Sequence, residues 1–145
     1  MGLVGLLETK VKEKNGEKVA GWRWVHNFHL DPKGRIWVAW NPRYYQLKMI
    51  HMTMQFIHYE AVQVSTNTHF FITYVYGLNQ LQQRQQLWDE LLSYTQTTNP
   101  CCVIGDFNAI LYKEDKVGGD EVMMAEIRDM RNFMDNSELE ELRSI

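Results

Sequence analysis

Asp106 and Asn108 stand two residues apart in the stretch Cys101 to Leu111, CCVIGDFNAIL. In an extended chain, residues two apart point the same way. A carboxylate and a carboxamide therefore emerge together just past an apolar run. That is where α/β proteins commonly place their chemistry. The carboxylate can hold a hard divalent cation or orient a nucleophile, and the carboxamide can donate to a phosphate oxygen. The same residues also suit a plain turn in which Asn108 bonds its own backbone. Both readings stand at this point.

The elements around this pair follow from patterning. Cys101 to Ile104 reads as a strand buried on both faces, ended by Gly105. Leu3 to Leu7 is a short apolar strand that stops at Glu8-Thr9-Lys10. It begins almost at the first residue, which suggests missing upstream sequence. Lys10 to Lys18 is charged, with Asn15-Gly16 as a turn signal. Trp22 to Phe28 and Arg35 to Trp40 flank the turn Asp31-Pro32-Lys33-Gly34 and predict an antiparallel hairpin. Pro42 stops the second strand. Leu47 to Val64 predicts two short strands. After a turn at Asn67-Thr68, His69 to Tyr76 predicts a strong one.

Asn79 is the expected N-cap of a helix over Gln80 to Thr95, with Leu81, Trp88, Leu91, Leu92 and Thr95 on its apolar face. Asn99-Pro100 ends the connection. A charged loop, Tyr112 to Asp120, precedes a second helix over about Glu121 to Asp135. Its stripe of Met123, Ile127, Met130 and Met134 reads as core, and Leu139 and Leu142 form a last apolar pair. Hairpins followed by strand–helix–strand–helix imply a layered α/β protein with a mixed sheet and no internal repeat.

Length and composition set bounds. A chain of 145 residues with 45% hydrophobic and 23% charged content suits one globular domain. Adjacent Cys101 and Cys102 point to opposite faces of a strand. They read as two small core thiols in a reducing compartment, not a bridge. No apolar run approaches a membrane span, and no leader opens the chain. These features predict an intracellular protein, nuclear or cytoplasmic, away from the membrane. The net charge of −3 divides into +5 over residues 1–50 and −8 over residues 51–145. An acidic half meets nucleic acid through a bound cation, or both halves simply carry solvated charged faces. His26 and His29 are three apart in an extended stretch and so do not form a metal pair.

Three predicted strand ends carry polar groups: Glu8, then Tyr76 and Asn79, then Asp106 and Asn108. On one edge they would form a cleft with two carboxylates, two amides and a phenol. A divalent-metal phosphodiesterase needs such a set.

GDFN at Gly105 to Asn108, ETK at Glu8 to Lys10 and VYGLN at Val75 to Asn79 resemble the endonuclease/exonuclease/phosphatase superfamily, which includes deoxyribonuclease I and the abasic-site endonucleases. The run from YVYGLN through a helix with LW to GDFNAIL, then an acidic loop ending in GG, is most similar to the endonuclease domain of plant non-LTR retrotransposons. The resemblance spans nearly the whole chain. GDFN after an apolar run is fairly specific, whereas ETK alone is not. It implies a four-layer α/β sandwich with mixed sheets and flanking helices, and Mg²⁺-dependent (or Mn²⁺-dependent) cleavage of phosphodiesters around one ion. For the retrotransposon branch it implies nicking of target DNA to prime reverse transcription. By position, Glu8 matches the metal-binding glutamate and Tyr76 the active-site tyrosine. Asn79 matches the polar residue after it, Asp106 the aspartate that activates the nucleophile or leaving group, and Asn108 the phosphate-holding asparagine.

The chain departs from that pattern at both ends. The family opens with a core strand ending in asparagine and closes with strands carrying an aspartate and a Ser-Asp-His motif. All five histidines here precede GDFN. The expectation is a partial domain lacking the first and last core strands, with weak or no nuclease activity, because such residues act as a unit. Two alternatives remain: a non-catalytic nucleic-acid-binding or protein-binding module on the same fold, or the same chemistry on a phosphoinositide or other small phosphate ester.

Overall fold

The computed structural model describes residues 2–8, 20–109 and 124–142, with side chains from 127 onward in the last segment. Lys10 to Lys18, the loop after Ala109 and Met123 lie outside the described residues. The chain divides into two compact units. One is Met1–Tyr76 with Asn99–Asp106, and the other is Gly77–Thr98 with Phe107–Ile145.

Among its described residues, the first unit holds seven strands in two sheets. β1 (Leu3–Leu7), β2 (Arg23–His26) and β3 (Ile36–Trp40) form an antiparallel sheet in the order β1-β3-β2. β4 (Tyr45–Met52), β5 (Phe56–Gln63), β6 (Thr68–Tyr76) and β7 (Cys101–Asp106) form the second, in chain order. Its first three strands are antiparallel, and β7 lies parallel to β6. The predicted hairpin is therefore present, and the sheet is mixed.

Alternation along β3 sends Ile36, Val38 and Trp40 toward the second sheet, where they pack on Ile57, Tyr59, Ala61, Ile72 and Tyr74. Trp40 meets Tyr59 edge to face at 5.9 Å. This apolar interface is what joins the sheets. Among the described residues the result is a mixed α/β fold with two sheets packed as a sandwich and two helices in the other unit.

Local polar bonds set the corners. Asn27 is buried, donates to the carbonyls of Thr53 and Met54, and accepts from Ile36 N–H through Oδ1. Asp31 accepts from Lys33 N–H and pairs with Arg35 at 2.8 Å, which closes the predicted Asp31–Gly34 turn. Thr53 Oγ1 accepts from Gln55 and Phe56 N–H at the β4–β5 turn. β4 and β5 are eight residues each, longer than the two short strands expected. A register irregularity between Met49 and His51 breaks the alternation that the sequence would otherwise display.

β7 departs from expectation in two ways. It runs through Gly105 to Asp106 and does not stop at Ile104. It is also only half buried, with Ile104 51% exposed. Among the described residues it pairs on one side only, with β6, so its apolar run is not covered on both faces. Gly105 has a φ of +155°, and a Cβ there would lie 2.0 Å from the Val75 carbonyl oxygen. This glycine permits close strand pairing and does not end the strand.

The second unit contains α1 (Leu81–Thr95) and α2 (Met124–Ser137). Asn79 is not the N-cap. Gln80 holds that place without a side-chain bond, because the helix starts one residue later than expected. The buried face of α1 is Arg84, Leu87, Trp88, Leu91 and Thr95, while Leu81 is 37% exposed. On α2, Ile127 and Phe133 are buried and Met130 and Met134 are half-buried, so Phe133 belongs to the stripe read as methionine-rich. Trp88 stacks on Phe133 at 4.9 Å and on Phe107 at 5.9 Å. Leu142 is 90% exposed, whereas Leu139 is half-buried.

Candidate functional site

Three of the five candidate residues lie in the first unit, at strand ends. Tyr76 closes β6 and Asp106 closes β7, and the parallel register sets them directly opposite each other. Paired residues share a face, so the phenol and the carboxylate emerge on the same side. That side is the inner one. Tyr76 packs on the edge of the core cluster, and Asp106 lines a cleft of about 660 Å³ between the sheets.

Glu8 reaches the same end by a different route. β1 pairs with β3 up to Leu7 opposite Ile36, and Glu8 N–H then donates to the Arg35 carbonyl at 2.8 Å. The Arg35 guanidinium lies over the Tyr76 ring at 5.5 Å, a cation–π contact. Glu8, Arg35, Tyr76 and Asp106 thus follow one another across the end where β1, β6 and β7 finish. Glu8 and Asp106 are exposed and Tyr76 is half-buried, so the group opens to solvent.

The cleft itself is mostly apolar. Leu3, Leu7, Phe70, Tyr74 and Ile104 line it, and Asp106 is its charged residue. It is a gap between sheets and not a polar hollow for a phosphate. The polar chemistry sits at its end. Two carboxylates there suit Mg²⁺, which is commonly held by one or two carboxylates and completes its shell with water and substrate oxygens. Among the described residues, no cluster of three or more His, Cys, Asp and Glu could hold a metal. A site built here would therefore depend on water and phosphate ligands.

Asn79 and Asn108 belong to the second unit. Asn79 is exposed. Asn108 has a φ of +48°, in the left-handed region that asparagine tolerates better than most residues. Its Nδ2 donates to the Gly77 carbonyl at 2.6 Å. The expected phosphate donor thus commits one of its two amide hydrogens to the backbone. That partner lies 31 residues away in sequence, so this bond is a tertiary one.

Two arginines escaped the sequence reading. In the sequence Arg35 reads as a strand residue, yet it bridges Asp31 and the Tyr76 ring. Arg84 is 3% exposed, and its Nε donates to Asp129 at 3.1 Å. The available signal was its position four residues before Trp88, on the apolar stripe of α1.

Other groups carry less. Burial raises both cysteine pKa values and keeps the thiols protonated at neutral pH, which disfavours nucleophilic or metal-ligating roles. His58 is buried with Nδ1 2.7 Å from Thr73 Oγ1 and stacks on Phe71. Burial, then the neighbouring His51, lowers its pKa to about 4.

No family model matches this chain, and no curated protein matches it in sequence. Among solved structures, the human Nocturnin catalytic domain with a bound sulfate anion is similar at a TM-score of 0.45 and 16% identity. The match covers 61% of this chain and 43% of that one, so this chain spans less than half of that domain. The described residues define a mixed α/β protein with two packed sheets, and Tyr76 and Asp106 stand opposite each other at one strand edge. No described helix is long and apolar enough to cross a membrane.

Proposed function

We propose that this chain is a phosphodiesterase module of the endonuclease/exonuclease/phosphatase kind, acting on DNA with one Mg²⁺ or Mn²⁺ ion. The observation that carries this reading is the gathering of Glu8, Tyr76 and Asp106 at one end of the sheets, through the β6–β7 register and the Glu8–Arg35–Tyr76 chain of contacts. Glu8 would hold the ion. The ion supplies charge withdrawal from a non-bridging phosphate oxygen.

Asp106 orients a water for in-line attack on phosphorus and accepts its proton. Tyr76 donates its hydroxyl to a phosphate oxygen, with Arg35 against its ring. The family resemblance would make Asn79 and Asn108 neutral donors to phosphate oxygens. The GDFNAIL and VYGLN stretches support a retrotransposon-type target, duplex DNA nicked on one strand, inside the cell, in the nucleus or the cytoplasm.

Supercoiled plasmid tests the reading. Relaxation to the open circle is expected in Mg²⁺. It should stop in EDTA and fall at least about 100-fold in Asp106→Ala and Glu8→Gln, as for removal of one member of a co-operating set. Nicking that persists in EDTA, or that ignores Asp106→Ala, overturns it. A non-catalytic binding module is the second reading, favoured by the commitment of Asn108 to Gly77. It predicts salt-sensitive DNA binding unchanged by Asp106→Ala.

A further inference from the structure

Arg84 carries a fixed charge on a helix face made otherwise of Leu87, Trp88, Leu91 and Thr95. Its Nη1 donates to the carbonyls of Leu78 at 3.3 Å and Asn79 at 2.9 Å, and also to that of Asn108. Its Nε donates to Asp129 Oδ2, and Trp88 Nε1 donates to that same oxygen at 2.8 Å. The two loop segments also meet directly. Asn108 Nδ2 bonds the Gly77 carbonyl, and a Cβ on Gly77 would lie 2.2 Å from the Phe107 oxygen.

A buried ion pair is weak evidence for stability, because apolar side chains of similar size commonly pack as well. Holding several backbone carbonyls of two different segments is another matter. The planar guanidinium, with five donors in a fixed fork, can do this, whereas a lysine ammonium is a compact point charge on a flexible stem.

We propose that Arg84 is a positioning residue. It locks the segment carrying Asn79 to the segment carrying Asn108 through their own carbonyls, and so sets the spacing of the two amide side chains. Asp129, held by Trp88, neutralises and aims the guanidinium. The roles of Asn79 and Asn108 rest on the proposed phosphodiesterase function; the clamp rests on the bonds above.

The test compares the full chain with Arg84→Lys and with the double variant Arg84→Met/Asp129→Leu, which removes the ion pair together. Amide hydrogen exchange is read at Gly77 to Asn79 and Phe107 to Ala109, against the interior amides of α1. Plasmid nicking in Mg²⁺ is read as separate kcat and KM.

Both variants should exchange at least tenfold faster at the loop amides while α1 keeps its protection. Arg84→Lys should lose at least tenfold in kcat with KM little changed. Loop amides as protected as in the native chain, or an equal rise throughout α1, would overturn the clamp and show a merely structural residue. Native kcat in Arg84→Lys overturns the positioning role while leaving the phosphodiesterase reading intact. A native chain that neither nicks nor responds to Mg²⁺ or Mn²⁺ overturns that reading, and the roles of Asn79 and Asn108 with it.

Discussion

His58 and Tyr59 are neighbours on β5, and burial sets opposite consequences for them. The folded-state pKa of His58, about 4, lies below its ordinary value of 6.5. Between those values the unfolded chain binds a proton that the folded chain refuses. The contribution is complete above about pH 6.5 and is lost as the pH falls through 4. A shift of that size corresponds to about 3 kcal/mol. Urea unfolding from pH 7 to pH 4 should therefore show stability falling, and His58→Gln should flatten that slope. Tyr59 is fully buried with its hydroxyl unbonded among the described residues, and burial raises its pKa. Removing an unsatisfied buried hydroxyl relieves its desolvation cost. Tyr59→Phe should leave stability unchanged or raise it by about 1 kcal/mol, read as a higher urea midpoint. A loss of stability would mean that the hydroxyl has a partner.

Among the elements, β7 gathers the most consequence from one residue. Its parallel pairing to β6 sets Asp106 opposite Tyr76, and that register passes through Gly105 opposite Val75. No side chain fits there, with the Val75 oxygen 2.0 Å from the Cβ position. Gly105→Ala should cost about 2 kcal/mol or more in urea unfolding, through strain and lost pairing. Any nicking activity should fall with it, since Asp106 is the next residue. A variant with native stability would show that β6 and β7 pair differently. The same strand shows why burial misled the sequence reading. A continuous apolar run looks alike whether it ends up in the middle of a sheet or paired on one side. α1 offers the converse case. Arg84 reads as a solvated charge, yet it is buried because Asp129 and three carbonyls surround it. Only those distant partners make the burial tolerable.

For the whole molecule, the first unit depends on one interface between two sheets. Trp40 is the largest side chain that the three-stranded sheet places in it, packed on Tyr59. Trp40→Ala should cost about 3–5 kcal/mol, a large share of the roughly 5–15 kcal/mol that holds a domain. Loss of near-ultraviolet dichroism with secondary structure partly kept would mark separation of the sheets.

Period and punctuation in the sequence were enough for the strands, the first hairpin, both helices to within a few residues, and the mixed α/β class. These depend on neighbours along the chain. Glu8, Tyr76 and Asp106 were also legible as residues at strand ends, because apolar runs stop just at or before them. That they gather at one edge was decided by strand order, parallel register and the Arg35 contact, which join residues about 30 to 100 positions apart. The bond from Asn108 to Gly77 and the burial of Arg84 were likewise decided in three dimensions. Local patterning reports which face of an element is apolar, whereas the partner of a polar group depends on what the fold brings against it.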